Sequence, residues 1–265
     1  LLSSHEKTVK KVGTVMQRYF IKPEQKTGVH ITITGDDASH IARVMRMAPG
    51  DKVVCSDNSG MSMVCELIDV TPQQAECKVL ETYEDRSSLP VSVCIAQGLP
   101  KGDKLDMIVQ KGTELGASSF FPFSSSRAIV KWDEKKGAKK IERLGKIAKE
   151  AAEQAHRSVV PAVHSPGSFQ DLLNMAEQYT IKIAAYEESA KSSEHSLFAA
   201  ALSNASPGDS ILCAVGPEGG LSEREAAALE SHGFLLCGLG PRILRTETAS
   251  LYMLSAISYH FELMG

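Results

Sequence analysis

The chain reads as an α/β protein: a mostly parallel sheet with helices on its faces, preceded by a small β-rich domain. Three observations predict this. From Val91 onward, apolar strand-like runs alternate with helical patterns. Two of those runs end in glycine-rich turns that open helices, Gly216-Pro217-Glu218-Gly219-Gly220 after Ile211 to Val215, and Leu239 to Ala249 after Phe234 to Cys237. Between Met16 and about Asp85 the signals are instead short strands separated by turn residues.

Residues 1–15 have no initiator methionine and no apolar signal core, and are expected to be a leader outside the fold. In residues 16–85 the expected strands are Tyr19 to Ile21, His30 to Thr34, Lys52 to Ser56, Met61 to Ile68 and Ala75 to Tyr83. Asp57-Asn58-Ser59-Gly60 suits a hairpin turn between two of them. A short helix over Ser39 to Met45 presents His40, Arg43 and Arg46 on a polar face. A barrel is expected, because closure removes exposed strand edges. This domain has seven Lys/Arg against eleven Asp/Glu, so bulk charge does not recruit a polyanion. Any nucleic-acid contact here needs a local cluster such as Arg18, Arg43 and Arg46, and solvated surface arginines are the alternative.

Arg86 to Pro90 is a polar linker ending in proline, and a second domain is expected over 90–265. Its strand Val91 to Ala96 leads to a helix over Asp103 to Leu115, with Leu105, Ile108, Val109 and Gly112 on one face. Ser119 to Phe123 is the next strand. Arg127 to Arg157 is the most basic segment, with ten Lys/Arg against five Asp/Glu. Ile141, Leu144, Ile147, Ala148, Ala151, Ala152 and Ala155 form an apolar stripe at helical spacing and leave the lysines outward. That face is either simply solvated or an RNA contact. Phosphate contacts there would anchor RNA without reading its sequence.

Val159 to Val163 and Ile181 to Tyr186 are further strands, with Ser168 capping a helix over Phe169 to Gln178. Ala185 to Ser189 then lies at a strand's carboxyl end, beside the crevice where α/β sheets bind small ligands. Ser189 to Ser196 reads as loop, Leu197 to Leu202 as a short helix, and Ser222 with Glu225 as a capping box. The final helix, Leu251 to Leu263, is apolar on more than one side, which calls for burial within the domain or against a second subunit.

Composition narrows the function. The chain is 43% hydrophobic and 23% charged with a net charge of −3, as in ordinary globular proteins. No apolar run reaches the roughly 18 to 20 residues that span a bilayer, so no membrane partner is expected. Neither glycine-rich turn has the Gly-Lys-Ser/Thr ending of a P-loop or the G-x-G-x-x-G dinucleotide pattern. Cys55, Cys65, Cys77, Cys94, Cys213 and Cys237 form no C-x-x-C pair and sit in strand-like runs. They read as buried free thiols rather than metal ligands or disulfides, which suits a reducing cytoplasm.

Taken together, Leu99-Pro100-Lys101-Gly102-Asp103-Lys104, Gln110 to Gly116, Lys149 to Gln154, Gly216 to Gly220 and Leu239 to Ala249, with Arg18-Tyr19-Phe20 and His40 to Gly50, resemble the RsmE family. These bacterial enzymes methylate N3 of a uridine in 16S ribosomal RNA. The resemblance spans nearly everything from Met16 onward. It implies an N-terminal PUA-like β-barrel, a C-terminal SPOUT methyltransferase domain with a deep trefoil knot, S-adenosylmethionine as methyl donor, and a homodimer joined through the knot and C-terminal helix. Its cytoplasmic partner would be 16S rRNA, within the small ribosomal subunit.

Carried onto this chain, the donor site comprises Tyr186, Gly216, Pro217, Glu218, Gly219, Gly220, Leu239, Gly240, Arg242, Ile243, Leu244, Thr246, Thr248 and Ala249. Adenine is an apolar disc with a hydrogen-bonding edge, so peptide groups of Ile243 and Leu244 suit it, with Leu239 on its face. Arg245 is the candidate to stabilise charge on the uracil oxygens, and Glu247 the candidate proton acceptor or, alternatively, a structural partner for an arginine. The RNA-facing set is Arg18, Arg43, Arg46, Lys101, Lys104, Arg127, Lys131 and Arg157. A related methyltransferase acting on another base or a ribose 2′-oxygen, and a non-catalytic RNA-binding protein, are the rival readings.

Overall fold

The computed structural model describes residues 16–264 except Arg86, Lys131, Asp133 and 187–195. The expected leader, Arg86 of the linker, Lys131 of the RNA-facing set and the turn after Tyr186 therefore lie outside the described residues. The chain divides into two compact units between Arg86 and Ser87.

In the first unit six strands form one sheet: β1 (Arg18–Phe20), β2 (Lys26–Thr27), β3 (His30–Thr34), β4 (Lys52–Ser56), β5 (Met61–Val70) and β6 (Gln74–Glu84). Their order is β1-β4-β5-β6-β3-β2, antiparallel except for the β1–β4 pair. The expected hairpin is present: Asn58 and Gly60 both take positive φ, as a tight β4–β5 turn demands. Register shifts in the β5–β6 ladder, after Val64 and Leu67, bend those long strands. Tyr19, Ile31, Ile41, Val53, Met63 and Leu67 thereby share one buried core. No ladder joins the edge strands β1 and β2 among the described residues, so the expected barrel has no hydrogen-bonded seam there. The expected short helix begins earlier, as α1 (Asp36–Ser39), and continues as a wider π-type turn over His40–Val44.

The second unit is a parallel sheet ordered β10-β8-β7-β12-β11-β13, with β9 also on β8. Its strands are β7 (Ser92–Gly98), β8 (Ser119–Ser124), β9 (Ala162–Val163), β10 (Gly167–Ser168), β11 (Ile181–Ala185), β12 (Ser210–Val215) and β13 (Leu235–Cys237). Helices α2 (Lys104–Glu114), α3 (Glu134–Gln154), α4 (Phe169–Ala176), α5 (Ser196–Ser203), α6 (Glu223–Ser231) and α7 (Thr246–Ser258) cover it. Strand alternation sets which face each residue serves. Val93 and Ile95 of β7 join Ile211, Cys213 and Val215 of β12 in a core shared with α2, α3, α5 and α7. The intervening Cys94, Ala96, Leu212 and Ala214 pack with Leu172 and Leu229 from α4 and α6 on the other face. Both faces are covered, so the strands read as unbroken apolar runs.

Two sequence expectations shift. The strand expected at Val159 to Val163 shortens to β9, and β10 is an addition. The last helix begins at Thr246 rather than Leu251, with Arg245 as its extended N-cap residue, and a π-type turn carries it on through Leu263. Thr246 to Ala249, expected as loop, thus form the first turn of α7. No helix among the described residues is long and apolar enough to cross a membrane.

Candidate active site

Register places the site. Gln97 of β7 pairs with Val215 of β12, Val215 with Ala185 of β11, and Ala185 with Cys237 of β13. Four adjacent strands therefore end within one residue of a common row, and the chain leaving each end meets the others in the crevice at the sheet's carboxyl edge. A cavity of about 520 Å³ opens there, of a size suited to a small-molecule ligand. The segments 185–186, 215–221, 237–246 and Ala249 contribute its walls.

The glycines are required by close approach. A Cβ on Gly216 would lie 2.7 Å from the Gly220 carbonyl carbon and 2.8 Å from the Leu221 nitrogen, so the turn closes only with hydrogen at that position. Gly220 has φ +69° and Gly240 +99°, the left-handed region that disfavours side chains. Beyond the turn, Ser222 and Glu225 form the expected capping box of α6, each bonding the other's backbone amide.

Glu225 does more than cap. Its Oε1 also accepts from the Ser126 amide at 2.8 Å, while Oε2 accepts from the Ser222 amide at 2.9 Å. Burial alone would raise this carboxyl's pKa, but these bonds and those from neighbouring serine hydroxyls outweigh burial and hold it below its ordinary value. The clasp fixes the loop after β8, whose Arg127 donates from Nη1 to the Gly219 carbonyl at 3.1 Å.

Charge gathers at one side of the cavity. Lys104 Nζ, at the start of α2, lies 2.9 Å from Glu218 Oε1 and 3.3 Å from Glu247 Oε2. The Glu218 carboxylate, principally, raises the Lys104 pKa. Burial pushes Glu218 up, but Lys104 and the backbone amides of Lys101 and of Glu218 itself bring it below its ordinary value. At neutral pH this is a cation between two anions.

Of the expected donor-site residues, all but Thr248 line the cavity; Thr248 is exposed on α7. Arg245 lines it too and is exposed at the N-cap of α7. Glu247 does not line it, and its partner is Lys104 rather than an arginine.

The RNA-facing set divides. Arg43, Arg46 and Lys101 are exposed. Lys104 and Arg127, expected on the RNA side, line the cavity. Two of the set, expected to face RNA, do not reach the surface. Arg18 is buried, bonded to Ser56 and Ser62 at 2.7 Å and paired with Asp85 at 2.8 Å. Arg157 is also buried and donates to the carbonyls of Thr113 (2.9 Å) and Ala117 (2.7 Å), which closes the carboxyl end of α2. Burial lowers its pKa to about 10, so it remains a cation at neutral pH. Neither guanidinium is available to a phosphate.

The sequence reading missed Gln97, Ser250 and Glu223. Glu223 lines the cavity, whereas Gln97 and Ser250 lie beneath it. The signal for Gln97 was a lone amide at the end of an apolar strand. The structure also groups three thiols, Cys55, Cys65 and Cys77, with sulfurs within 4.8 Å of one another in the first unit's core. Cys65 and Cys77 donate to main-chain carbonyls of Met63 and Ile31, as packed core thiols do.

Comparison with known proteins agrees with this geometry. Residues 87–258 match the model of an RNA methyltransferase domain, and residues 33–80 that of an RNA methyltransferase PUA domain. The Ribosomal RNA small subunit methyltransferase E of Bacillus subtilis (strain 168) is 50% identical over 94% of this chain and 98% of its own. The protein of the same name from Synechocystis sp. is 32% identical over 91% and 77%. The crystal structure of the Neisseria gonorrhoeae enzyme bound to S-adenosyl methionine superposes with a TM-score of 0.77, at 27% identity, covering 92% of this chain and 97% of that one. With its sheet, its carboxyl-edge cavity and these relatives in agreement, this chain belongs to the ribosomal RNA small subunit methyltransferase E family.

Proposed function

We propose that this protein methylates N3 of a uridine in 16S ribosomal RNA, with S-adenosylmethionine as donor. The observation that carries the reading is the carboxyl-edge cavity built from main-chain segments 216–220 and 239–244. Its chemistry suits the donor: peptide groups at Ile243 and Leu244 for the adenine edge, Leu239 for its face, and Gly219 and Gly220, which bring bare backbone to the cavity wall, for the ribose. The bound donor supplies an electrophilic methyl on a sulfonium leaving group.

What this chain's residues supply is placement and charge. In the transfer, N3 of uridine forms the new bond to methyl carbon as the carbon–sulfur bond breaks, and the N3 proton departs to solvent. Holding the two reactants in line accounts for much of the rate. Arg245, exposed at the cavity and held by the start of α7, stabilises the negative charge that develops on the uracil oxygens. Glu218 is a poor proton acceptor because its hydrogen bonds keep its pKa low. Exposed Arg43, Arg46 and Lys101 take up RNA phosphates.

The proposed assembly is a cytoplasmic homodimer packed through the last helix. Tyr252 is 43%, Tyr259 55% and Leu263 75% exposed, at spacings that share one helical face. A deep trefoil knot in the second domain is part of the same proposal.

Nucleoside mass spectrometry of 16S RNA, treated with protein and donor, tests the acceptor. N3-methyluridine is the expected product; 2′-O-methylation or a different methylated base would overturn the assignment.

A further inference from the structure

Gln97, the penultimate residue of β7, is fully buried and does not line the cavity. Its carboxamide is nonetheless engaged at both ends. Nε2 donates to Thr246 Oγ1 at 2.8 Å, to the Gly98 carbonyl at 3.0 Å and to the Gly216 carbonyl at 3.3 Å. Oε1 accepts from Ser250 Oγ at 2.6 Å. Thr246 Oγ1 in turn donates to the Gly216 carbonyl at 2.6 Å.

This is a polar island in an otherwise apolar contact, since α7 buries Ala249, Met253, Leu254 and Ile257 on the same side. Apolar side chains would fill such a contact without the demand that every donor find an acceptor. What the amide provides is position. The loop 216–220 forms one wall of the cavity and the first turn of α7 another, and Gln97 is bonded to both. Behind them, a Cβ at Gly98 would lie 2.6 Å from the Pro217 ring, so the strand end backs directly onto the loop.

We infer that Gln97 is a positioning residue: it staples the Gly216 loop to the first turn of α7, so that both walls stand in register before the methyl donor arrives. The inference rests on the proposed donor site. Walls set in advance spare the donor the cost of ordering them, so the amide acts on donor affinity rather than on the reaction itself.

The test is calorimetric binding of S-adenosylhomocysteine, with donor KM and kcat on 16S RNA, in Gln97→Leu, Gln97→Glu, Ser250→Ala and Ile257→Val. Failure of the unaltered protein to bind the ligand would refute the proposed function and leave the staple without a site. Given wild-type binding, Gln97→Leu and Gln97→Glu are expected to raise Kd and donor KM by about tenfold, with kcat at saturating donor unchanged. Ser250→Ala, which frees only one end of the amide, should give a smaller rise, and it carries the test if the Gln97 variants do not fold. Gln97→Glu should regain affinity as the pH falls, because a protonated carboxyl again has a proton to donate. Ile257→Val removes packing alone and should lower stability without changing Kd. Wild-type affinity in the folded variants at Gln97 and Ser250, or an equal loss in Ile257→Val, would overturn the inference.

Discussion

Lys104 Nζ stands 2.9 Å from Glu218 Oε1, joining the start of α2 to the glycine-rich turn after β12. Both side chains are 30% exposed, so solvent screens the pair and it contributes at most about 1 kcal/mol to stability. Its effect is on charge. Without Lys104, Glu218 and Glu247 become two uncompensated carboxylates beside the cavity, unfavourable to RNA and favourable to a cationic sulfonium. Lys104→Met should therefore raise the KM for RNA, leave donor affinity equal or tighter, and barely move the denaturation midpoint. A weakened donor instead would place Lys104 in donor binding.

The glycines of the first turn should not be equivalent. At Gly216 an added methyl meets backbone on two sides, at 2.7 and 2.8 Å, and backbone cannot swing aside. At Gly220 there is open space, but φ of +69° penalises a side chain by about 1–2 kcal/mol. Calorimetry should rank donor affinity as wild type, then Gly220→Ala, then Gly216→Ala. The reverse order would mean that the turn moves freely on binding.

The Glu225 clasp makes a pH-dependent contribution to stability. Its folded pKa lies below the ordinary value of 4.5, so the stabilisation is fully present above that value and is lost as the pH falls through the folded pKa. Each carboxylate oxygen accepts from a different main-chain amide, Ser126 or Ser222, whereas glutamine offers only one oxygen. Glu225→Gln should cost about 1.5–3 kcal/mol at neutral pH. In urea titrations across pH, the gap to wild type should close on acidification; a constant gap would show that the charge is not what matters.

Arg157 shows where a linear sequence stops being informative. It ends the most basic segment of the chain and reads there as a phosphate contact, yet its partners are carbonyls at the far end of another helix. Arg18 misleads in the same way, its acidic partner Asp85 lying on the far side of the domain's sequence. Glycine-rich turns are legible because local backbone geometry dictates them. Strand alternation is legible because burial on both faces does. A charge's role depends on partners that only the fold brings near. Arg157→Ala should accordingly destabilise the protein by about 2–4 kcal/mol, because the carbonyls of Thr113 and Ala117 lose their donor. RNA affinity of the folded fraction should stay unchanged, and a fall in affinity without loss of stability would restore Arg157 to the RNA surface.

Arg245 separates binding from chemistry. It is the N-cap residue of α7 with an extended backbone, but its side chain makes no cap bond to the helix, so replacing it leaves the helix start intact. It is exposed and lines the cavity, where in the proposed reaction the pyrimidine approaches the donor. If its charge serves the developing uracil anion, Arg245→Ala should lower kcat by about 10²- to 10³-fold while the Kd for S-adenosylhomocysteine stays at the wild-type value. Arg245→Lys should recover part of that loss, because the ammonium keeps the charge but not the planar fork of donors. Single-turnover methylation with saturating donor reads this directly. An unchanged single-turnover rate with weaker ligand binding would move Arg245 from the transition state to the donor site.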